Sequence, residues 1–286
     1  MRKHPIVADG QILLSAGVYD PLSAKIAERA GFSSVVLSGY AVSATYLGEP
    51  DFGILTQSEI LDVARRICRV IDIPLIVDGD TGHGGALNVQ YLVRELIRIG
   101  ASGVILEDQA WPKRCGHMRD KSVITKEEHV QKIRAAVDAR QGIERPFLIT
   151  ARTDARGPFG LEEAIRRGIA YKEAGADVIF VEAPQSKDEL REIGKRIPGI
   201  KTVNHIEGGQ TPLLSLEEAH EYGFFSVGYV LSGLFASARA LEKTYAQLLE
   251  KGTTVQTDID MMDFDQFATL IGLEEKYAAD EQYKSE

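Results

Sequence analysis

The chain has 286 residues, of which 44% are hydrophobic and 26% are charged, and its formal net charge is −9. One barrel of about 250 residues with a terminal extension fits this length and composition. Acidic and basic residues are mixed along the chain and no basic face is visible, so binding to nucleic acid is not expected. An anionic substrate is still compatible with this charge, because local cations or a metal can outweigh it.

Short apolar runs alternate with longer segments of helical period, which is typical of βα units around a parallel sheet. Eight strands are predicted, over residues 13–18, 34–38, 74–78, 103–107, 147–151, 177–181, 201–204 and 226–230. Eight helices are predicted, over residues 21–30, 57–71, 87–99, 126–140, 161–174, 187–196, 216–222 and 231–249. No Gly-x-Gly-x-x-Gly follows the first strand, so we favour an α/β fold of the (β/α)8 TIM-barrel type over a doubly wound sheet.

A C-terminal segment is left over after these eight units. It follows Gly252 and has a moderate helical period over residues 263–283. It is interpreted either as a helix that covers the barrel or frays, or as a helix that packs on a neighbouring subunit. The sequence therefore predicts a barrel domain over residues 1–252 and a helical extension over residues 253–286.

The cellular setting is predicted from what the chain lacks. A run of about 18 apolar residues, the length of a transmembrane helix, is absent. The first residues include no long apolar stretch of the kind found in secretory signals. Two cysteines, Cys68 and Cys115, in a chain of this length favour a reducing compartment. We therefore expect a cytoplasmic protein without a membrane partner.

Polar side chains follow six of the eight predicted strands. These stretches are Ser38-Gly39-Tyr40, Asp78-Gly79-Asp80, Glu107-Asp108-Gln109, Arg152-Thr153-Asp154, Glu182 and Asn204-His205-Ile206-Glu207. In a barrel the βα loops converge at the carboxyl ends of the strands, where active sites lie. Any one of these polar stretches could simply form a turn. Polar residues at the ends of six strands, however, indicate a functional site.

Two of these stretches have the chemistry of a metal site. Asp78 and Asp80 can both point toward one centre if the strand breaks between them, and Glu107 can join directly or through water. Hard oxygen ligands completed by water suit Mg²⁺ or Mn²⁺ rather than zinc. An Asp-rich turn that caps the next helix is the alternative, and both interpretations stay open on this pattern alone.

Cys115 lies in a polar loop punctuated by glycine after the fourth strand. Because basic residues and His117 flank it, we expect the pKa of its thiol to be lowered. Such a group can donate or accept a proton near neutrality. A nucleophile and an incidental loop cysteine are the alternatives. Cys68 lies in an apolar-periodic helix and is predicted to belong to the core.

Three stretches, in this order along the chain, resemble the isocitrate lyase/phosphoenolpyruvate mutase superfamily. They are Asp78-Gly-Asp-Thr-Gly-His-Gly-Gly, Glu107-Asp-Gln and Lys113-Arg-Cys-Gly-His. The third is the signature of the lyase branch, and the likeness covers the chain from Ser38 to about residue 254. The resemblance implies a (β/α)8 barrel whose eighth helix is exchanged between subunits, in a homotetramer built as a dimer of dimers.

The resemblance also assigns roles in the site. It implies Mg²⁺, with Mn²⁺ as a substitute, at Asp78 and Asp80 with Glu107 nearby. Contacts with a small dicarboxylate substrate are implied for Ser38, Gly39, Tyr40, Asp51, Gly116, Arg152, Asn204 and Glu207. Catalytic roles are implied for Cys115, Lys113, His117 and Glu182. The loop that carries Cys115 closes over the substrate in this superfamily.

The activity that the resemblance implies is cleavage of a carbon–carbon bond in a 2-alkylmalate-type dicarboxylate, giving a 2-oxo acid and a carboxylate. The chain is most similar to the branch of 2,3-dimethylmalate lyase and petal-death proteins. Methylisocitrate lyases carry arginines where this chain has Ala236 and Asp265, and fungal oxaloacetate hydrolases carry serine in place of Pro158. Methylisocitrate lyase, oxaloacetate hydrolase or decarboxylase, and a non-catalytic dicarboxylate sensor are the alternatives.

Overall fold

The computed structural model describes residues 12–255 and 258–284. In these residues eight parallel strands form a closed barrel, in which each strand pairs with its neighbours in sequence and the eighth pairs with the first. The strands are β1 (Leu13–Val18), β2 (Val35–Leu37), β3 (Leu75–Asp78), β4 (Gly103–Glu107), β5 (Leu148–Thr153), β6 (Val178–Val181), β7 (Ile200–His205) and β8 (Ser226–Tyr229). The predicted (β/α)8 barrel is confirmed.

Helices connect the strands and follow the barrel. They are α1 (Pro21–Arg29), α2 (Gly39–Val42), α3 (Gln57–Cys68), α4 (Ala86–Ile99), α5 (Lys126–Ala139), α6 (Arg156–Phe159), α7 (Leu161–Glu173), α8 (Lys187–Arg196), α9 (Leu216–Glu221), α10 (Ser232–Lys251), α11 (Phe264–Ile271) and α12 (Leu273–Glu281). A π-helical turn, Ser43–Leu47, continues α2. Each predicted helix of the barrel has its counterpart among them.

Three neighbouring strands are buried on both faces. All residues of β4, β5 and β6 are buried. Such strands face the helices on one side and the barrel interior on the other. Several helices begin at side chains that cap them, as Thr56 does for α3 and Ser186 for α8. Because all eight strands are parallel, their carboxyl ends and the loops that follow lie at one end of the barrel.

Two short helices at that end were not predicted. The helix α2 directly follows β2 and is capped by Ser38, whose hydroxyl accepts a hydrogen bond from the N–H of Ala41 at 3.3 Å. The helix α6 follows β5 in the same way. Each has four residues, which is too short for apolar residues to recur with a helical period. Both shape loops at the carboxyl ends of the strands.

The structure divides into two compact units, Met1–Gly233 and Leu234–Glu286. In the second unit, Gly272 adopts a φ of 82° and separates α11 from α12, so the predicted helical tail consists of two helices. The helix α10 has no buried residue. The predicted boundary at residue 252 and the exchange of a helix between subunits stay predictions.

Membrane insertion was not expected from the sequence. Among the described residues, no helix combines the length and the apolar character that crossing a bilayer requires.

Candidate active site

One pocket lies at the carboxyl ends of the strands and collects most of the predicted site residues. Its polar lining is formed by Ser38, Tyr40, Asp51, Asp78, Cys115, Gly116, His117, Arg152, Glu182 and Asn204. Its apolar lining is formed by Val36, Ile105, Phe180, Ile206, Val230 and Leu231. The residues come from the carboxyl ends of seven strands, β2 to β8, and from the connections that follow β2 and β4, so the barrel closes the site from several sides.

The backbone breaks after β3 and turns Asp80 into the barrel. Asp80 has a φ of 48°, which is unusual for a residue with a side chain. The N–H groups of Asp80 and Gly39 each donate to the carboxylate of Asp78, at 3.2 Å. Asp80 and Glu107 are each 1% exposed. The predicted break that lets both aspartates approach one centre is present.

This carboxylate cluster, formed by Asp78, Asp80 and Glu107, is short of hydrogen-bond donors. Among the described residues, Oδ2 of Asp80 and Oε1 of Glu107 are buried without a hydrogen-bond partner, whereas buried polar atoms usually have one. Burial raises the pKa of Asp80 to about 7 and that of Glu107 well above its usual value. A bound hard cation would give these buried oxygens a partner and would stabilise the charged form that burial disfavours.

The protein supplies few groups that could bind such a cation directly. Within residues 12–255 and 258–284, no group of three or more His, Cys, Asp and Glu side chains is arranged to hold a metal ion.

Lys113 ties the loop between β4 and α5 to the carboxylate cluster. Its side chain is 3% exposed, and its Nζ lies 2.7 Å from the carboxylate of Asp51 and 2.5 Å from Oδ1 of Asp80. Burial alone would lower its pKa, but Asp80 and Asp51 raise the pKa of Lys113 well above its usual value. The ammonium group therefore stays charged and binds two carboxylates.

The expected lowering of the Cys115 pKa was wrong. Burial raises the pKa of this thiol to about 12. The basic residues beside it in sequence do not compensate, because Lys113 pairs with Asp51 and the guanidinium of Arg114 lies over the ring of Phe52, 5.5 Å from its centroid. The thiol is protonated at neutral pH, so it suits a proton donor better than a thiolate nucleophile.

His117 and Glu182 face each other across the pocket. The Nε2 atom of His117 lies 3.1 Å from Oε1 of Glu182, and its Nδ1 accepts a hydrogen bond from the N–H of Gln210 at 2.9 Å. The imidazole proton is therefore on Nε2, toward the carboxylate. Burial alone would raise the pKa of Glu182, but Arg152 and His117 lower it. Glu182 is ionised at neutral pH.

Arg152, at the end of β5, lies among three carboxylates. Its Nε and Nη2 bind Asp154 in bidentate fashion, at 2.8 and 3.1 Å. Its Nη2 also lies 3.2 Å from Glu107 and 3.1 Å from Glu182. The guanidinium is thus held in one orientation between the carboxylate cluster and the cysteine.

Gly116 allows the loop to lie directly on the arginine. A Cβ atom added at Gly116 would lie 2.3 Å from Nη2 of Arg152 and 2.3 Å from Cγ of Glu182. No side chain fits into this space without displacing one of the two charged groups. The glycine next to Cys115 is therefore a steric requirement of the closed loop.

Comparison with known proteins decides the family. The family model of phosphoenolpyruvate phosphomutase matches residues 4–249. The chain belongs to the phosphoenolpyruvate mutase/isocitrate lyase superfamily. It is 49% identical to the petal death protein of Dianthus caryophyllus, over 99% of this chain and 88% of that protein. It is 40% identical to 2,3-dimethylmalate lyase of Eubacterium barkeri, over 97% of this chain and 96% of that protein.

A solved structure of this superfamily has the same fold. Oxaloacetate acetylhydrolase, in complex with the inhibitor 3,3-difluorooxalacetate, superposes with a TM-score of 0.91 at 33% identity, over 97% of this chain and 94% of that one. The predicted family is confirmed, and so is the enzyme class, a carbon–carbon lyase. The relatives differ in the substrates they are named for, so the substrate is not fixed by family membership.

Two residues at the end of β7 have contacts outside the pocket: Glu207, a predicted substrate contact, and His205, which was given no role. Glu207 is exposed and does not line the pocket, and its carboxylate accepts a hydrogen bond from the hydroxyl of Ser232. His205 is buried, and its Nε2 accepts a hydrogen bond from the N–H of Leu214 at 3.2 Å. That contact holds the loop after β7. A substrate contact of Glu207 stays a prediction.

Three residues that contact the site were not singled out from the sequence. Asp154 binds Arg152, and Lys121 binds Asp154 at 2.8 Å. The carboxylate of Asp108 accepts hydrogen bonds from the N–H of Asp154 and the hydroxyl of Thr153, both at 2.8 Å. Asp108 and Asp154 do follow predicted strands, which was a usable signal. Lys121 had none, because its partner is 33 residues away.

Proposed function

We propose that the protein is a Mg²⁺-dependent lyase that cleaves a 2-alkylmalate-type dicarboxylate to a 2-oxo acid, such as pyruvate, and a second carboxylate. One observation carries the proposal. The half-buried, protonated thiol of Cys115 lines one pocket with Arg152 and Asp78. Arg152 contacts Glu107, and carboxyl oxygens of Glu107 and Asp80 lack hydrogen-bond partners. A cation site, an anion site and a proton donor are the three parts that such a cleavage needs.

The carboxylate cluster would hold Mg²⁺ or Mn²⁺, through Asp80 and, directly or through water, Asp78 and Glu107. When bound, the ion supplies positive charge beside the C1 carboxylate and C2 oxygen of the substrate. The pairing of Asp80 with Lys113 keeps that aspartate oriented while the pocket is empty of substrate.

The substrate is held by its two polar ends. Arg152 binds the carboxylate that leaves, and Ser38, Gly39 and Asn204 contact the carboxylate and oxygen groups of the other half. The apolar lining of the pocket, which includes Phe180, Ile206 and Leu231, faces the alkyl groups of a 2-alkylmalate. This combination of one guanidinium and an apolar wall favours a dicarboxylate with alkyl substituents.

Cleavage transfers two protons. A base removes the proton of the C2 hydroxyl, the C2–C3 bond breaks and C2 becomes a carbonyl carbon. The electron pair of the bond stays on the departing carboxylate as an enediolate, which Arg152 and Asn204 stabilise. Cys115 then donates its proton to C3. Glu182 is a candidate for the base, because it lines the pocket and is ionised at neutral pH.

The experiment that tests this function is a screen with Mg²⁺. The purified enzyme is incubated with 2,3-dimethylmalate and other 2-alkylmalates, with methylisocitrate and with oxaloacetate, and 2-oxo acid and oxalate are measured. We expect turnover of a 2-alkylmalate that stops when EDTA removes the metal. Release of oxalate from oxaloacetate as the fastest reaction would replace the proposal with a hydrolase, a candidate favoured by the likeness to oxaloacetate acetylhydrolase. Tight binding of these acids without any turnover would indicate a sensor.

We further propose that the protein is a cytoplasmic homotetramer. The helix α10 supports this, because it has no buried residue and exposes Phe235, Leu241, Tyr245 and Leu249. An exposed apolar surface of this kind is typical of an interface. Light scattering is expected to give four times the mass of one chain, and Leu241→Glu is expected to lower that mass. A monomeric native protein would contradict the assembly.

A further inference from the structure

Lys121 lies in the loop between β4 and α5 and connects that loop to Arg152. Its side chain is 4% exposed. Its Nζ donates to Oδ1 of Asp154 at 2.8 Å and also to the backbone carbonyl of Gly116. The same Oδ1 atom accepts a hydrogen bond from Nη2 of Arg152 at 3.1 Å. One carboxylate oxygen therefore joins the lysine of the loop to the arginine of the pocket.

The contact of Lys121 with Asp154 affects how strongly Arg152 can attract a ligand carboxylate. The guanidinium contacts the carboxylates of Asp154, Glu107 and Glu182. A carboxylate of a ligand would be the fourth to contact this guanidinium. The three carboxylates of the protein already exceed its single positive charge. Lys121 balances the charge of Asp154, so Arg152 retains more attraction for the ligand.

Asp154 is also held through its backbone, at a group that Lys121 does not contact. Its N–H donates to Oδ1 of Asp108 at 2.8 Å. The other oxygen of Asp108 accepts hydrogen bonds from the hydroxyl of Tyr171 at 2.7 Å and from Arg167 at 2.9 Å. Asp108 directly follows β4, and Tyr171 and Arg167 lie on α7, so groups other than Lys121 also hold Asp154 in place. Lys121 is the cation that the loop itself brings to Asp154.

The position of the loop decides whether Lys121 reaches Asp154. The lysine binds the carbonyl of Gly116, the residue next to Cys115, and Gly116 packs directly on Arg152. A displacement of this segment removes the cysteine and the ammonium group together. The charge around Arg152 thus depends on whether the thiol is in the pocket.

We propose that Lys121 is a positioning residue that couples the binding of a ligand carboxylate at Arg152 to closure of the loop that carries Cys115. Only the nature of the ligand rests on the proposed function. The coupling acts in both directions: a closed loop strengthens carboxylate binding, and a bound carboxylate holds the loop closed.

The test measures access to Cys115. Alkylation by iodoacetamide is followed by mass spectrometry of the peptides, with and without Mg²⁺ and oxalate as a small dicarboxylate probe. The variants are Lys121→Met, which removes the charge, Lys121→Arg, which keeps it, and Lys126→Met as the matched control, because Lys126 pairs only with Glu127 near the surface. Cys68 is the internal control for general loosening of the fold.

We expect Lys121→Met to raise the alkylation rate of Cys115 about fivefold or more, the lower end of measured couplings, and to weaken protection by oxalate to a similar degree. Lys121→Arg and Lys126→Met are expected to behave like the native protein. In turnover assays Lys121→Met should raise KM and lower kcat, and Lys121→Arg should restore part of both.

Two results would overturn the coupling. In one, Lys121→Met matches Lys126→Met in the alkylation rate of Cys115 and in oxalate protection. In the other, the alkylation rate of Cys68 rises by the same factor as that of Cys115, which indicates general loosening. If oxalate fails to protect the native protein, the proposed function fails instead. The ratio of alkylation rates without oxalate then still decides the role of Lys121.

Discussion

The two sides of the pocket are built differently. The carboxylate cluster comes from the ends of β3 and β4, and its position follows from the barrel. The cysteine lies on a long loop, residues 108–125, which reaches the pocket through contacts of Lys113, His117 and Lys121 with carboxylates of the barrel end. The fixed side suits the binding of charge, which needs no movement. The loop suits a proton donor that must approach after the substrate has entered.

The largest effect is expected on the fixed side. Asp80→Asn removes the carboxylate whose Oδ2 lacks a partner, and should lower turnover about 10³-fold, because charge stabilisation by a metal is worth several kcal/mol. Titration with Mn²⁺, followed by electron paramagnetic resonance, should show weakened metal binding. Asp188→Asn is the control, since that side chain is 88% exposed. Unchanged metal affinity in a folded Asp80→Asn protein would remove Asp80 from the cation site.

On the loop side, Cys115→Ser tests the donor without touching the cluster. A hydroxyl is a weaker acid than a thiol, so we expect turnover to fall about 10²-fold or more, on the scale of general acid catalysis. Mn²⁺ affinity should stay unchanged. Cys68→Ser serves as the matched control and should keep full activity. Near-normal turnover of Cys115→Ser would mean that another group donates the proton.

Gly116→Ala tests whether the loop must lie on the arginine. The added Cβ would meet Arg152 and Glu182 at 2.3 Å, so the loop should close incompletely. We expect kcat to fall about 10- to 100-fold, the effect of a misplaced reacting group, with unchanged metal binding. Gly85→Ala is the control, because a Cβ there meets nothing within 4 Å. Equal kinetics of the two variants would contradict the closed geometry.

The smallest expected effect is the pH dependence of Cys115 alkylation, which tests the raised pKa of the thiol. Because burial raises the pKa of Cys115 to about 12, its thiolate fraction should grow about tenfold with each pH unit across pH 7 to 10. The alkylation rate of Cys115 should follow this slope without levelling off. In urea the unfolded chain should level off near pH 9, close to the ordinary thiol pKa of about 8.5. A native plateau near pH 8 would mean that the loop keeps the thiol in water.

The barrel could be predicted from sequence because its signals are local. The strand residues 13–18 and 103–107 were predicted with the bounds that the structure has. Glycines such as Gly100, with a φ of 101°, lie where a helix ends and the chain returns to the sheet, and this is also a local signal. The four-residue helices α2 and α6 were missed, since so short a segment shows no periodicity.

The chemistry of the site was only partly predictable, because charge depends on contacts in space. The basic neighbours of Cys115 in sequence suggested a lowered pKa, yet Lys113 and Arg114 point to other partners and burial dominates. The pairing of Lys121 with Asp154 joins residues that only the barrel brings together. Sequence motifs identified the groups, whereas their protonation and their partners required the fold.

The burial of Cys115 has a consequence for the survival of the enzyme between turnovers. Peroxide attacks thiolates, so a thiol with a pKa of about 12 is oxidised slowly. The position of the loop therefore slows the oxidation of the thiol that it carries. In the proposed coupling, opening of the loop would expose the donor to irreversible oxidation.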